Sequence, residues 1–151
     1  MSDLKLKSPA FSDGEPIPEK YGLTEENVNP PLEFEGIPEE TESLALLMDD
    51  PDAVEPAGKV WDHWIVWNID PDTAEISEGS TPQEATEGKT DFGETEYGGP
   101  NPPDREHTYR FRLYALTAKL ELPETARKED VEEAMKGNIL AEAELTGTHA
   151  P

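Results

Sequence analysis

Two stretches, WDHWIVWNI (61–69) and HTYRFRLYAL (107–116), decide the fold. The first is apolar on both faces and rich in aromatic and β-branched residues, as a strand in the middle of a sheet should be. The second reads as another strand. SLALLMDD (43–50) is a third β-type run, and it ends in acids. ILAEAELT (139–146) alternates, with Ile139, Ala141, Ala143 and Leu145 on one side, so it is a strand with at least one buried face. Prolines in NPPLEFEGIP (29–38) disfavour helix there. Residues 1–36 therefore read as extended pieces and loops, and 51–60 as a Pro/Gly-rich loop. Residues 70–106 form a long polar connection, of the kind that is usually functional or disordered. One helix is expected, RKEDVEEAMK (127–136), with Val131, Ala134 and Met135 as its stripe and Gly137 as its stop. Strands dominate, so the architecture is a mainly-β sandwich, and 151 residues make one domain spanning 1–151.

Charge is the strongest compositional signal. Thirty-five acidic residues oppose 12 Lys plus Arg, for a net charge of −23, and the acids run through both halves of the chain. Such a surface repels nucleic acid, which needs a basic footprint. It also argues against stable docking on an anionic membrane. High charge with low hydrophobicity is a signature of disorder. Three Trp, four Tyr, four Phe and the strand patterns oppose that reading. The better account is a folded protein adapted to concentrated salt, where counterions screen self-repulsion. With no cysteine, disulfides and thiolate ligands are excluded. No apolar run has membrane-spanning length and the N-terminus has no signal-like stretch, so a cytoplasmic location is expected.

Strand alternation gathers polar side chains at one edge. Leu44, Leu46, Met48 and Asp50 share a face. So do Trp61, His63, Ile65 and Trp67, and likewise His107, Tyr109, Phe111 and Leu113. If 43–50 runs antiparallel to the other two strands, then Asp50, His63, His107 and Tyr109 converge above apolar layers. Imidazole N–H and phenol O–H groups donate hydrogen bonds to an anion. The YGGPNPP loop (97–103) offers backbone N–H groups beside them. Asp50 could orient a histidine or receive an amine next to the anion. Taken singly, each residue has a plainer explanation: a satisfied core histidine, or an Asp-Pro-Asp turn through Asp52. A two-His, one-carboxylate metal site is formally open but lacks helical spacing. No metal or cofactor is expected. No nucleotide loop and no G-x-S-x-G serine appears. A hydrolase using the His pair, or an interaction protein with a vestigial pocket, stays as an alternative to a non-enzymatic binding protein.

At this point the chain resembles the phosphatidylethanolamine-binding protein (PEBP) family. The residues that carry the resemblance are SPAFSDGEPIPEKYG (8–22), NPPLEF (29–34), DPDA (50–53), WDHWIVWNI, TDFGETEYGGPNPPDREHTYRFRLYAL (90–116) and GNILAEAELTGT (137–148). It is most similar to the bacterial and archaeal branch often labelled Raf-kinase-inhibitor-like. The resemblance implies two antiparallel sheets with Greek-key connections. It also implies a shallow pocket for phosphate, phosphorylated headgroups or other small anions, with possible regulation of a kinase or other enzyme. Carried over by motif, the pocket residues are Asp50, Asp52, His63, Gly99, Asn101, His107 and Tyr109. A protein partner, and either a monomer or a homodimer, are compatible with it. Val54 stands where many relatives have proline, Asn101 where many prokaryotic ones have cysteine, and His149 where some have a pocket-edge tyrosine.

Overall fold

The computed structural model describes residues 3–82 and 84–151. In chain order the strands are β1 (Lys5–Lys7), β2 (Leu32–Glu35), β3 (Ser43–Asp50), β4 (Trp61–Ile69), β5 (Glu75–Ile76), β6 (Thr86–Glu87), β7 (His107–Leu116) and β8 (Ile139–His149). The helices are α1 (Val54–Ala57) and α2 (Lys128–Met135). Strands β1-β2-β5 form a small sheet and β6-β4-β3-β7-β8 a large one, with every strand pair antiparallel. The fold is thus the expected mainly-β arrangement of two antiparallel sheets with a short late helix.

β3 lies at the centre of the large sheet, so all eight of its residues are buried. Its even face (Leu44, Leu46, Met48) joins Leu32, Phe34, Phe111 and Leu113 in the core between the sheets. Its odd face (Ala45, Leu47) packs with Ile65, Trp67, Val131 and Met135 under α2. Removing this much apolar area from water is the main stabilising term. α2 is also tied down by charge. Asp49, fully buried, accepts from Arg110 Nε at 2.8 Å, Arg112 Nη2 at 3.1 Å and Lys128 Nζ at 3.0 Å. Lys128 reaches Asp62 at 2.7 Å as well. Burial alone would raise the Asp49 carboxyl, but the cations around it hold it below the usual carboxylate range.

Three expectations need correction. The face shared by Trp61, His63, Ile65 and Trp67 does not exist. Opposite β3, Asp49 pairs with Asp62 while Met48 pairs with Trp64, so His63 is the extra residue of a β-bulge. Beyond it the alternation inverts: Trp64 and Val66 enter the inter-sheet core, and Ile65 and Trp67 turn toward α2. Residues 51–60 are not a plain loop. Pro51–Ala53 is a 3-10 turn that runs into α1, initiated by Asp50 Oδ1 accepting from Asp52 N–H at 2.9 Å. The long connection after β4 contributes β5 and β6 and is pinned by Tyr97, whose hydroxyl donates to the Tyr21 carbonyl at 2.9 Å.

Candidate functional site

The C-terminal end of β3 meets the N-terminal ends of β4 and β7, because β3 is antiparallel to both. A cavity of about 290 Å³ opens at that corner. Asp50, His63, Asn101, His107 and Tyr109 line it, together with an apolar wall that includes Ala53, Pro56, Trp61, Phe92 and Pro103. Asp50 arrives as the last residue of β3, while His107 and Tyr109 open the regular alternation of β7. His63 is aimed inward by the bulge.

His63 Nδ1 lies 2.7 Å from the Gly98 carbonyl oxygen. A carbonyl can only accept, so Nδ1 carries the proton. Burial pushes the imidazole below its usual pKa, which leaves it neutral with a bare Nε2. The ring stands edge-on to both Phe92 and Tyr109, each at 5.2 Å between centroids. His107 is different in kind. Its Nδ1 is 2.6 Å from Asp50 Oδ2 and its Nε2 is 2.7 Å from Asp104 Oδ1. Burial works against its charge, but the two carboxylates outweigh burial and raise its pKa. With an acceptor at each nitrogen, His107 is an imidazolium.

The Tyr109 hydroxyl is buried and lacks a hydrogen-bond partner among the described residues. Asp50 and the backbone N–H of Asn101 approach it without completing a bond of proper geometry. Burial first, and then the Asp50 charge, push its pKa up, so the phenol keeps its proton and remains a donor.

Two residues carried over by motif do not face the cavity. Asp52 accepts from the Thr108 backbone N–H at 2.9 Å and so ties the 3-10 turn to the start of β7. Gly99 donates its N–H to Asn27 Oδ1 at 2.8 Å, which takes that group away from any ligand. A side chain at Gly99 would collide with the Tyr21 carbonyl oxygen, so its glycine serves close packing. His149, at the end of β8, packs against Gly22 and does not reach the cavity. Sequence reasoning missed Phe92, Trp61 and α1 as walls, and it missed Asp104 on His107. Phe92 and Asp104 lie in irregular segments with no alternation to read. For Asp104 the i, i+3 spacing to His107 was the available signal.

A sandwich that gathers its polar groups in one cavity at a sheet end is the build of a small-ligand-binding protein. The particular family follows from its relatives. The chain matches the phosphatidylethanolamine-binding protein family model over residues 7–150, and it belongs to that family. It is 46% identical to the "UPF0098 protein" of Methanothermobacter thermautotrophicus, over 97% of this chain and 98% of that one. A crystal structure of a putative PEBP homolog, CT736 from Chlamydia trachomatis, superposes with a TM-score of 0.91 at 42% identity, covering 99% of this chain and 98% of that one. E. coli YbcL, described as a member of the mammalian PEBP family, superposes with a TM-score of 0.90 at 29% identity, with 98% of each chain covered. Among the described residues no helix is long and apolar enough to cross a membrane.

Proposed function

We propose that the protein binds a small anionic ligand, a phosphate or phosphorylated headgroup attached to a short apolar body, and that it binds without turning it over. The observation that carries this reading is the Tyr109 hydroxyl, a buried donor beside the cavity with no partner among the described residues. Leaving such a group unsatisfied costs about 1–3 kcal/mol, which an accepting oxygen from a ligand would recover. The Asn101 N–H approaches the same point. The wall of Trp61, Phe92 and Pro56 suits carbon next to the anion. Binding is favoured over hydrolysis because His107, the second member of any catalytic pair, has both ring nitrogens engaged by carboxylates.

The test is calorimetric titration of inorganic phosphate and O-phosphorylethanolamine into the whole chain in molar KCl, alongside Tyr109→Phe and His63→Ala. Heat that both variants abolish or sharply reduce supports the reading. An absence of heat with every anion overturns it, and so does turnover of phosphorylethanolamine.

A further inference from the structure

We propose that Asp104 is a tethered competitor for the ligand, its carboxylate holding the ring nitrogen of His107 that an incoming anion would otherwise take. The inference rests on the anion-binding reading above and adds a selectivity device to it. His107 is the fixed positive charge of the site, and it has two nitrogens to offer. Nδ1 belongs to the framework: it is 2.6 Å from Asp50, itself buried at the end of β3. Nε2 faces Asp104 at 2.7 Å. The two carboxylates differ sharply in setting. The side chain of Asp50 is 4% exposed, whereas that of Asp104 is 38% exposed and follows Pro103, which lines the cavity. Water can therefore take over the Asp104 carboxylate if the side chain swings out, which it cannot do for Asp50. Asp104 also lies in the irregular run between Asn101 and His107, outside both sheets, and besides His107 its carboxylate is approached only by its own N–H and that of Arg105, which water can replace on an exposed side chain.

While Asp104 is in place, both nitrogens of His107 are occupied and the ring presents only carbon to the cavity. A weak or neutral ligand gains nothing from this imidazolium. A ligand carrying more than one negative charge gains a charge-assisted hydrogen bond, provided it wins the exchange with Asp104. Asp104 thus raises the threshold for anions and sets the site against ubiquitous small carboxylates.

Calorimetry with inorganic phosphate and with acetate separates the possibilities. The proteins are the wild type, Asp104→Ala, and Glu106→Gln as a control that removes one neighbouring exposed acid. Because a charge-assisted hydrogen bond is worth about 1.5–3 kcal/mol, Asp104→Ala should bind phosphate about tenfold more tightly or better, and acetate more tightly by no larger a factor. Glu106→Gln should behave as the wild type. Equal affinities in wild type and Asp104→Ala overturn the competitor and leave the anion pocket standing. Equal tightening by Glu106→Gln also overturns it, since the effect is then general charge. No heat in any of the three removes the anion reading and this inference together.

Discussion

Asp50 Oδ2 and His107 Nδ1 lie 2.6 Å apart at the meeting point of β3 and β7, and this pair anchors the positive charge of the site. A carboxylate on each nitrogen makes His107 a cation, while a carbonyl on Nδ1 leaves His63 neutral. The two imidazoles sit on opposite sides of the ordinary value of 6.5, with His107 raised and His63 lowered. Imidazole nitrogen shifts followed through a pH titration should show His107 still charged, and His63 already neutral, at 6.5. Coincident titration of the two would refute the assignment. The linkage has two signs. The contribution of His107 to stability is complete below 6.5 and disappears as pH rises through its elevated folded value. That of His63 is complete above 6.5 and declines as pH falls from there toward its depressed folded value.

Anion binding should take up a proton. His63 presents a bare Nε2, an acceptor facing an acceptor, so the complex needs one more hydrogen than the free site. Either His63 becomes protonated beside the anion, or a phosphate monoester supplies its own P–OH. Both routes make affinity fall as pH rises through neutrality. Titration of phosphorylethanolamine at about pH 5.5 and about pH 8.5 should show weaker binding at the higher value. The same affinity at both would mean that His63 does not touch the anion.

The regular parts of this site were legible in the sequence, and the irregular parts were not. His107 and Tyr109 could be placed because β7 keeps its alternation from the first residue. Asp50 could be placed because β3 keeps its inward face to the end, with Leu44, Leu46 and Met48 in the inter-sheet core. His63 faces the cavity as expected, but the row drawn through it to Ile65 and Trp67 fails. A bulge has no signature in residue types here, since β4 is apolar on both faces and either register reads equally well. Gly99 and Asp52 were drawn into the pocket by motif, and each turns out to hold the scaffold. Phe92 and Asp104 depend on the path of a long connection, which local pattern does not encode.

Asp49 should be the most sensitive acid in the scaffold. It is fully buried and faces Arg110, Arg112 and Lys128, so replacing it leaves three cations without their common partner. Asp49→Asn should lower unfolding free energy by roughly 3–5 kcal/mol, the usual cost of removing one side of a buried ion pair. The contrast is Lys7 with Glu35, each 54% exposed, where Lys7→Ala should cost under about 1 kcal/mol. Urea denaturation of the two variants reads the difference. A small effect at Asp49 would mean that the Lys128–Asp62 pair and the apolar face suffice to hold α2.

A net charge of −23 on 151 residues makes self-repulsion a standing cost of the compact state. Some of the cations that could offset it turn inward: Arg110, Arg112 and Lys128 converge on Asp49, so the exposed cations are outnumbered further by the surface acids. Repulsion between exposed charges is screened over about 10 Å at 0.1 M salt and about 3 Å at 1 M. Thermal unfolding should therefore shift upward between dilute buffer and molar KCl. Asp49 itself is fully buried and out of reach of ions, so Asp49→Asn should show nearly the same salt increment as the wild type from a lower starting point. If melting is unchanged by KCl, surface repulsion is not a significant term, and the acidic composition is no adaptation to concentrated salt. If the increment vanishes in Asp49→Asn, the salt effect comes from the buried cluster and not from the surface.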